Sequence, residues 1–253
     1  MCEVIPIDKL LQSRAAPLIC YPRLDVDEAE RRIQELRHLG VEALELRGRH
    51  RVGDVPILGK GHVGVVVAAR IDRAAAALKI RRVDADRESF AAEAENLKRA
   101  NQISVGPRLL EDSANFLLME LIEGDYLTDC IEKLDPSEED YLRRVIRRLL
   151  DKSRRLDLAG LDHGELSRAH RHVIVVGDEP SIIDFESAST CRRVSNVTSI
   201  AHYIYFNRRM SSLMEGLLPT PEPEALLQAL KRYKRSPTDG NYSGLLGVCG
   251  LSA

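Results

Sequence analysis

The sequence predicts an α+β chain in which a β-rich N-terminal part precedes a helical C-terminal part. Three observations carry this. Short apolar runs, Val55–Leu58 and Val65–Ala69, flank the glycines at 59–64 in a strand–turn–strand pattern. A second β-like run, Phe116–Ile122, ends in the acidic glycine turn Glu123-Gly124. From residue 137 the pattern changes to helical spacing, with Leu142, Val145, Ile146, Leu149 and Leu150 forming one stripe.

The elements follow in order. Residues 1–24 contain Pro6, Pro17 and Pro22 and read as irregular. Asp25 opens a helix, with Glu28 three residues on as its capping-box partner. Ala29, Ile33, Leu36 and Leu39 line its apolar face, Gly40 stops it, and 41–49 read as a strand. Residues 1–50 are thus an N-terminal extension, and 51–122 a β-rich part with one helix near 86–100. Residues 123–253 begin with an acidic connector, 123–140, leading through Asp135-Pro136-Ser137 into a long helix over 137–157. The strand pair Val173–Val176 and Ser181–Ile183 follows, then helices near 197–217 and 221–235. The Gly/Ser content of 236–253 predicts a mobile tail. There is no internal repeat.

With 44% hydrophobic and 30% charged residues, the 253-residue chain has the make-up of an ordinary soluble globular protein. Its Arg-heavy, aliphatic composition points to a thermophile. Only 4% of residues are aromatic and none is Trp, which argues against an extended stacking platform for single strands. Cys2, Cys20, Cys130, Cys191 and Cys249 are odd in number and scattered, with no C-x-x-C pair. This excludes a disulfide framework or zinc site and predicts a reducing, cytoplasmic setting with no disulfide partner. The N-terminus lacks a signal peptide and no apolar run reaches membrane length, so no membrane association is expected.

The motifs carry more. Gly59-Lys60-Gly61-His62-Val63-Gly64-Val65-Val66 reads G-x-G-x-x-G-x-V, and Lys79 follows Ala77-Leu78. This order suits a glycine hairpin over ATP phosphates and a lysine on the next strand but one. Glycine lets the backbone approach a phosphate where a Cβ would clash, and Val66 would pack beneath the adenine. A Rossmann loop would open a helix, whereas strands surround these glycines. Glu93 lies among Phe90, Ala94, Leu97 and Asn101 at helical spacing and can pair with Lys79; Glu95 competes for that role. Phe116–Gly124 matches a hinge offering backbone hydrogen bonds to adenine through Met119, Glu120 and Ile122. His163-Gly164-Glu165-Leu166 then precedes the strand pair that ends in Asp184-Phe185-Glu186, the pattern of a catalytic loop followed by a metal-binding D-F-x.

Together, residues 55–186 resemble the eukaryotic-like kinase superfamily, five motifs occurring in order. The His-Gly-acid-Leu loop, the Ile183–Ser189 stretch and the Ser195–Ser199 segment are most similar to the RIO-type and KEOPS-associated kinases, and among them to the archaeal RNA kinase group. The resemblance implies a bilobal kinase-like fold, with 51–122 as the N-lobe and 123–253 as a reduced C-lobe. It also implies ATP and Mg²⁺ as cofactors and phosphorylation of a uridine 2′-hydroxyl in tRNA. In that reading Lys79 binds the α- and β-phosphates, Glu93 orients it, Asp184 holds Mg²⁺ and Glu165 accepts the proton of the acceptor hydroxyl.

Three departures matter. Glu165 stands where kinases place an aspartate, and its extra methylene moves the carboxylate by about an ångström. His170 stands where an asparagine binds metal, and imidazole is a poor Mg²⁺ ligand. Either the second metal is absent, or the loop carries an insertion and His170 or His172 meets phosphate or RNA. Glu186 replaces the D-F-G glycine, as in aminoglycoside- and choline-kinase-like enzymes, which keeps a small-molecule acceptor open.

Charge bears on the acceptor. Residues 1–140 hold 20 Lys and Arg against 27 Asp and Glu, a balance of −7; residues 141–253 hold 17 against 12, a balance of +5. The arginines around the 137–157 stripe read as a solvated helix face. Arg168, Arg171, Arg192 and Arg193 adjoin the catalytic and metal motifs and, with Arg208 and Arg209, are candidates for RNA phosphates. A RIO-like Ser/Thr kinase or ATPase is the second reading, although only 67 residues follow Glu186 and no A-P-E signature is present to build a peptide platform.

Overall fold

The computed structural model describes residues 3–252; Cys2 lies outside them. The chain is α+β, with a sheet-rich N-terminal region and a helical C-terminal region, and divides into two compact units. The first comprises Met1–Lys98 and Pro107–Leu121, the second Arg99–Gly106 and Ile122–Ala253.

The first unit contains β1 (Glu3–Pro6), α1 (Ala16–Ile19), α2 (Val26–His38), β2 (Ala43–Leu46), β3 (His50–Val52), β4 (Val55–Ile57), β5 (Gly59–Lys60), β6 (Gly64–Ile71), β7 (Ala74–Arg81), most of α3 (Ala91–Gln102), β8 (Leu109–Asp112) and β9 (Phe116–Glu120). Its main sheet runs β1-β2-β6-β7-β9-β8, with β5 also paired to β6; β3 and β4 form a separate hairpin. Side chains alternate across a strand, and that alternation sorts the two faces. Val65, Val67, Ala69, Leu78, Ile80, Phe116 and Leu118 join the core with Leu18, Ile19, Ile33 and Leu36. Leu117 packs instead with Val63, Phe90 and Ala94.

Residues 3–24 hold more regular structure than their prolines suggest. β1 pairs antiparallel with β2 from Glu3↔Leu46 to Pro6↔Ala43, and β2 continues onto β6. Burial of Ile5, Ile7, Leu10 and Leu18 overrides the local turn signals. At the start of α2 the Asp25 carboxylate accepts from the Glu28 N–H at 2.9 Å, as the sequence predicts. The Glu28 carboxylate turns instead to Arg31 and Arg32. Arg32 is 1% exposed and also donates to the Ile19 and Arg81 carbonyls and to Asn115 Oδ1. A buried guanidinium with these partners ties α2 to the sheet.

The second unit contains β10 (Asp125–Tyr126), α4 (Leu127–Ile131), α5 (Glu139–Leu158), β11 (Val173–Val176), β12 (Glu179–Ile182), α6 (Asn196–Phe206), α7 (Arg208–Met214), α8 (Pro223–Arg235) and α9 (Asp239–Val248). β10, β11 and β12 form a small antiparallel sheet. α5 buries its predicted stripe and packs against α6 and β12, and α8 packs against α9.

The tail, expected to be mobile from its Gly and Ser, carries a helix over Asp239–Val248. α9 is capped by Thr238, whose hydroxyl accepts from the Asn241 N–H, and it buries Tyr242, Leu245 and Leu246. The Tyr242 hydroxyl donates to Asp151 at 2.8 Å. Arg147 donates to the Leu251 carbonyl at 2.9 Å, and Arg143 reaches the Gly250 carbonyl. Two arginines read as solvated from α5 alone, Arg143 and Arg147, therefore satisfy the Gly250 and Leu251 carbonyls after α9. Among the described residues no helix is long and apolar enough to cross a membrane.

Candidate functional site

In the first unit, strand register assembles the predicted nucleotide residues. Gly59 pairs with Val66, Val66 with Lys79 and Lys79 with Leu117, a single row across four strands. Residues directly opposite share a face, so Lys79 lies on the Leu117 face. There its Nζ meets Glu93 Oε1 at 2.7 Å and Oε2 at 2.9 Å. Both side chains are 5% exposed, and the ammonium also lies 5.5 Å from the Phe90 ring centroid. Glu93 sits in the first turn of α3, where the helix dipole favours an anion.

The hairpin glycines differ among themselves. A Cβ on Gly64 would lie 2.9 Å from the Ile80 carbonyl oxygen and 3.2 Å from Phe90 Cζ, so packing within the protein excludes any larger residue. A Cβ on Gly59 or Gly61 would meet nothing closer than 3.6 Å. Packing within the protein therefore does not require glycine at either position. Lys60 donates to the Tyr21 hydroxyl at 2.6 Å and lies over that ring. Val66 is half-buried. Met119 and Glu120 close β9; the Glu120 N–H is already donated to the Arg108 carbonyl at 2.8 Å. Ile122 follows in the second unit.

In the second unit a hydrogen-bonded loop system carries the remaining residues. Asn196 at the start of α6 donates from its side chain to Asp157 and the Leu161 carbonyl, both at 2.8 Å, and accepts from the His163 N–H at 2.9 Å. Asp157 also accepts from the Asn196 and Val197 N–H groups and from Tyr233. Burial pushes the Asp157 carboxyl above its ordinary value, against the pull of those donors. Asp162 accepts from the Ser195 N–H and from Arg192 Nε, each at 3.0 Å.

These partners fix the His163–Leu166 loop. His163 is fully buried, its Nε2 3.1 Å from the Ile183 carbonyl and its Nδ1 3.4 Å from the Glu165 N–H. A carbonyl only accepts and an N–H only donates, so the neutral ring carries its proton on Nε2. Burial, reinforced by nearby His172, lowers His163 to about 4. Gly164 has φ +86°, and a Cβ there would lie 2.9 Å from the Ser187 carbonyl oxygen, so the loop needs glycine. Glu165 lies 3.4 Å from the Ser187 hydroxyl and 3.3 Å from Arg168, with His172 Nε2 3.6 Å away.

Asp184 adopts φ +68°, a conformation that aspartate tolerates better than most residues, and its side chain is 40% exposed. Phe185 is buried edge-on to His163, with ring centroids 5.0 Å apart. The histidine beside Asp184 is His172, whose Nδ1 is 3.8 Å from Asp184 Oδ2; burial lowers its pKa. His170 stacks on Tyr203 at 6.0 Å, and burial and then Arg171 lower its pKa.

The predicted basic residues separate into two groups. Arg192 is committed to the loop through Asp162 and the Ser187 carbonyl. Arg193 donates to the Lys234 carbonyl and Arg209 pairs with Glu132, while Arg171 and Arg208 are exposed. Sequence reasoning missed Asp157, Asp162, Asn196 and Tyr233. Of these, only Asn196 fell within a segment already singled out.

No family model matches the chain. It is similar to an uncharacterised protein of the archaeon Methanocaldococcus jannaschii, MJ1211, with 28% identity over 119 residues, 46% of this chain and 99% of that protein.

Proposed function

We propose that the chain is an ATP-dependent phosphotransferase of kinase-like fold that passes a γ-phosphoryl group to a hydroxyl, with the ribose 2′-hydroxyl of a tRNA uridine as the favoured acceptor. The observation that carries this is the buried Lys79–Glu93 pair, in register with a glycine hairpin whose Gly59 and Gly61 answer to no packing demand within the protein. A buried ion pair is a weak source of stability, so a functional role accounts for it better. Lys79 would hold the α- and β-phosphates, and a missing Cβ at Gly59 and Gly61 would let backbone N–H groups approach them.

The donor chemistry at Asp184 fits Mg²⁺, which prefers carboxylate oxygen; the ion would offset the charge of the phosphates. His170, stacked on Tyr203 among arginines, suits that metal poorly. Glu165 would accept the proton of the acceptor hydroxyl, its carboxylate steadied by Ser187 and Arg168. The RNA acceptor rests on the motif resemblance and on the +5 balance of residues 141–253.

The test is to incubate the protein with γ-labelled ATP and, separately, tRNA, protein and metabolite pools. Label on a ribose 2′-position supports the proposal. Label on Ser or Thr, or on a small alcohol, moves the acceptor to those classes, and no transfer to any pool rejects the kinase reading. Glu165→Gln should cut turnover by about 10²–10⁴ and leave ATP affinity unchanged.

A further inference from the structure

The second unit holds an open cleft of about 480 Å³ bordered by α6 and α8, within the size range of small-molecule sites. Its lining includes the hydroxyl residues Ser167, Ser195, Thr198 and Ser199. The helix α6 adds His202 and Phe206, whose rings lie 4.7 Å apart one turn from each other. From α8 come Lys231 and Lys234, and no carboxylate is among the described residues that line the cleft. The α6 N-terminus supplies none of this positive charge, because Asp157 already takes its first N–H groups. Lys234 in the last turn of α8 suits the helix dipole. That explains neither Lys231 nor the rings and hydroxyls that line the same cleft as both lysines. Ser167 lies two residues after Glu165, and Ser195 donates to Asp162, so the cleft adjoins the His163–Leu166 loop.

Cations, hydroxyls and stackable rings around one small cleft are the recognition chemistry of a nucleotide in unpaired RNA, whose splayed base can stack while its phosphate and 2′-hydroxyl meet polar groups. Low aromatic content excludes a long platform, but two rings suffice for one base. We propose that the α6–α8 cleft binds one unpaired nucleotide of the acceptor RNA, its base against His202 and Phe206 and its phosphate at Lys231 and Lys234. This rests on the RNA-kinase reading for the name of the partner and deepens it.

The experiment measures binding of a fluorescein-labelled 12-nucleotide single-stranded RNA, and of unfractionated tRNA, by anisotropy across a salt series. Wild-type protein is compared with Lys231→Glu/Lys234→Glu and with His202→Ala, all exposed positions. ATP binding and transfer of label to tRNA are measured in parallel. The charge reversal should raise the Kd for single-stranded RNA at least about tenfold and lower the log–log salt slope by about 0.7, from the one phosphate held there. His202→Ala should raise Kd about fivefold or more with little change in salt slope, and ATP binding should not change. Unchanged RNA affinity in a folded charge-reversed protein overturns the cleft. If that variant still phosphorylates tRNA at the wild-type rate, the cleft falls and the kinase reading stands. If RNA binds through the cleft but is never phosphorylated, the cleft stands and the acceptor assignment falls.

Discussion

In the first unit Lys79 and Glu93 are placed by backbone: a four-strand register puts one on the sheet face, and the first turn of α3 brings the other to it. In the second unit Glu165 is placed by side chains, since Asp157, Asp162, Asn196 and Arg192 hold the loop on which it sits. The first arrangement concentrates its electrostatics in one buried pair. The second spreads them over many hydrogen bonds. Each should therefore fail differently when a single side chain is removed.

The largest effect is expected at the pair. Lys79→Met takes the ammonium away from the buried Glu93 carboxylate, which should cost about 3–5 kcal/mol and abolish phosphoryl transfer, at least about a thousandfold. The double variant Lys79→Met/Glu93→Leu should recover most of that stability in urea unfolding followed by circular dichroism, yet stay inactive. A double variant as unstable as the single one would make the pair a structural requirement of the sheet rather than a site.

The loop should show the opposite pattern, with no simple compensating partner. Asn196→Leu removes the side-chain donor to Asp157 and leaves the His163 N–H and the Leu161 carbonyl without their Asn196 partner. About 3–4 kcal/mol should be lost, and adding Asp157→Leu should not restore it, because those backbone groups remain orphaned. Full recovery in the double variant would show that the network is merely a charge pair like the first.

This contrast also explains what the sequence made legible. Gly59, Val66 and Lys79 could be placed because strands have a fixed period, so linear spacing becomes spatial register. The helix face carrying Glu93 follows from its 3.6-residue period in the same way. The Asp157–Asn196 contact joins residues 39 positions apart through side-chain geometry, and no period reports it. Proline and glycine misled in two places for a related reason. Residues 3–19 and the tail 239–248 are ordered by burial and by buried or half-buried arginines, Arg32 and Arg147, whose partners lie far along the chain.

A subtler difference lies in pH. The His163 ring, held neutral, has its pKa at about 4 against an ordinary 6.5. Between those values the unfolded chain binds a proton that the folded chain refuses, so stability falls as pH drops from about 6.5 to 4 and is flat above 7. The loss should reach about 3 kcal/mol, with buried His172 acting in the same direction. His163→Gln keeps a donor for the Ile183 carbonyl but cannot titrate, so its stability should change less across that window. Parallel curves for the two proteins would remove the buried neutral histidine as the cause.

The smallest effect separates two adjacent arginines that the sequence grouped together. Arg192 spends its guanidinium on Asp162 and the Ser187 carbonyl, so Arg192→Gln should cost about 1–3 kcal/mol in stability. Any RNA effect it has is then confounded with disorder around Glu165. Arg193 is exposed and bonds only the Lys234 carbonyl among the contacts described above. Arg193→Gln should change stability by less than about 0.5 kcal/mol. If Arg193 meets an RNA phosphate, its loss should lower the log–log salt slope of RNA binding by about 0.7–0.9 while leaving ATP binding unchanged. A slope that stays the same in Arg193→Gln and falls in Lys231→Glu/Lys234→Glu would confine the RNA contact to the α6–α8 cleft. A slope that falls in both would extend it along the basic surface from α8 to the loop before α6.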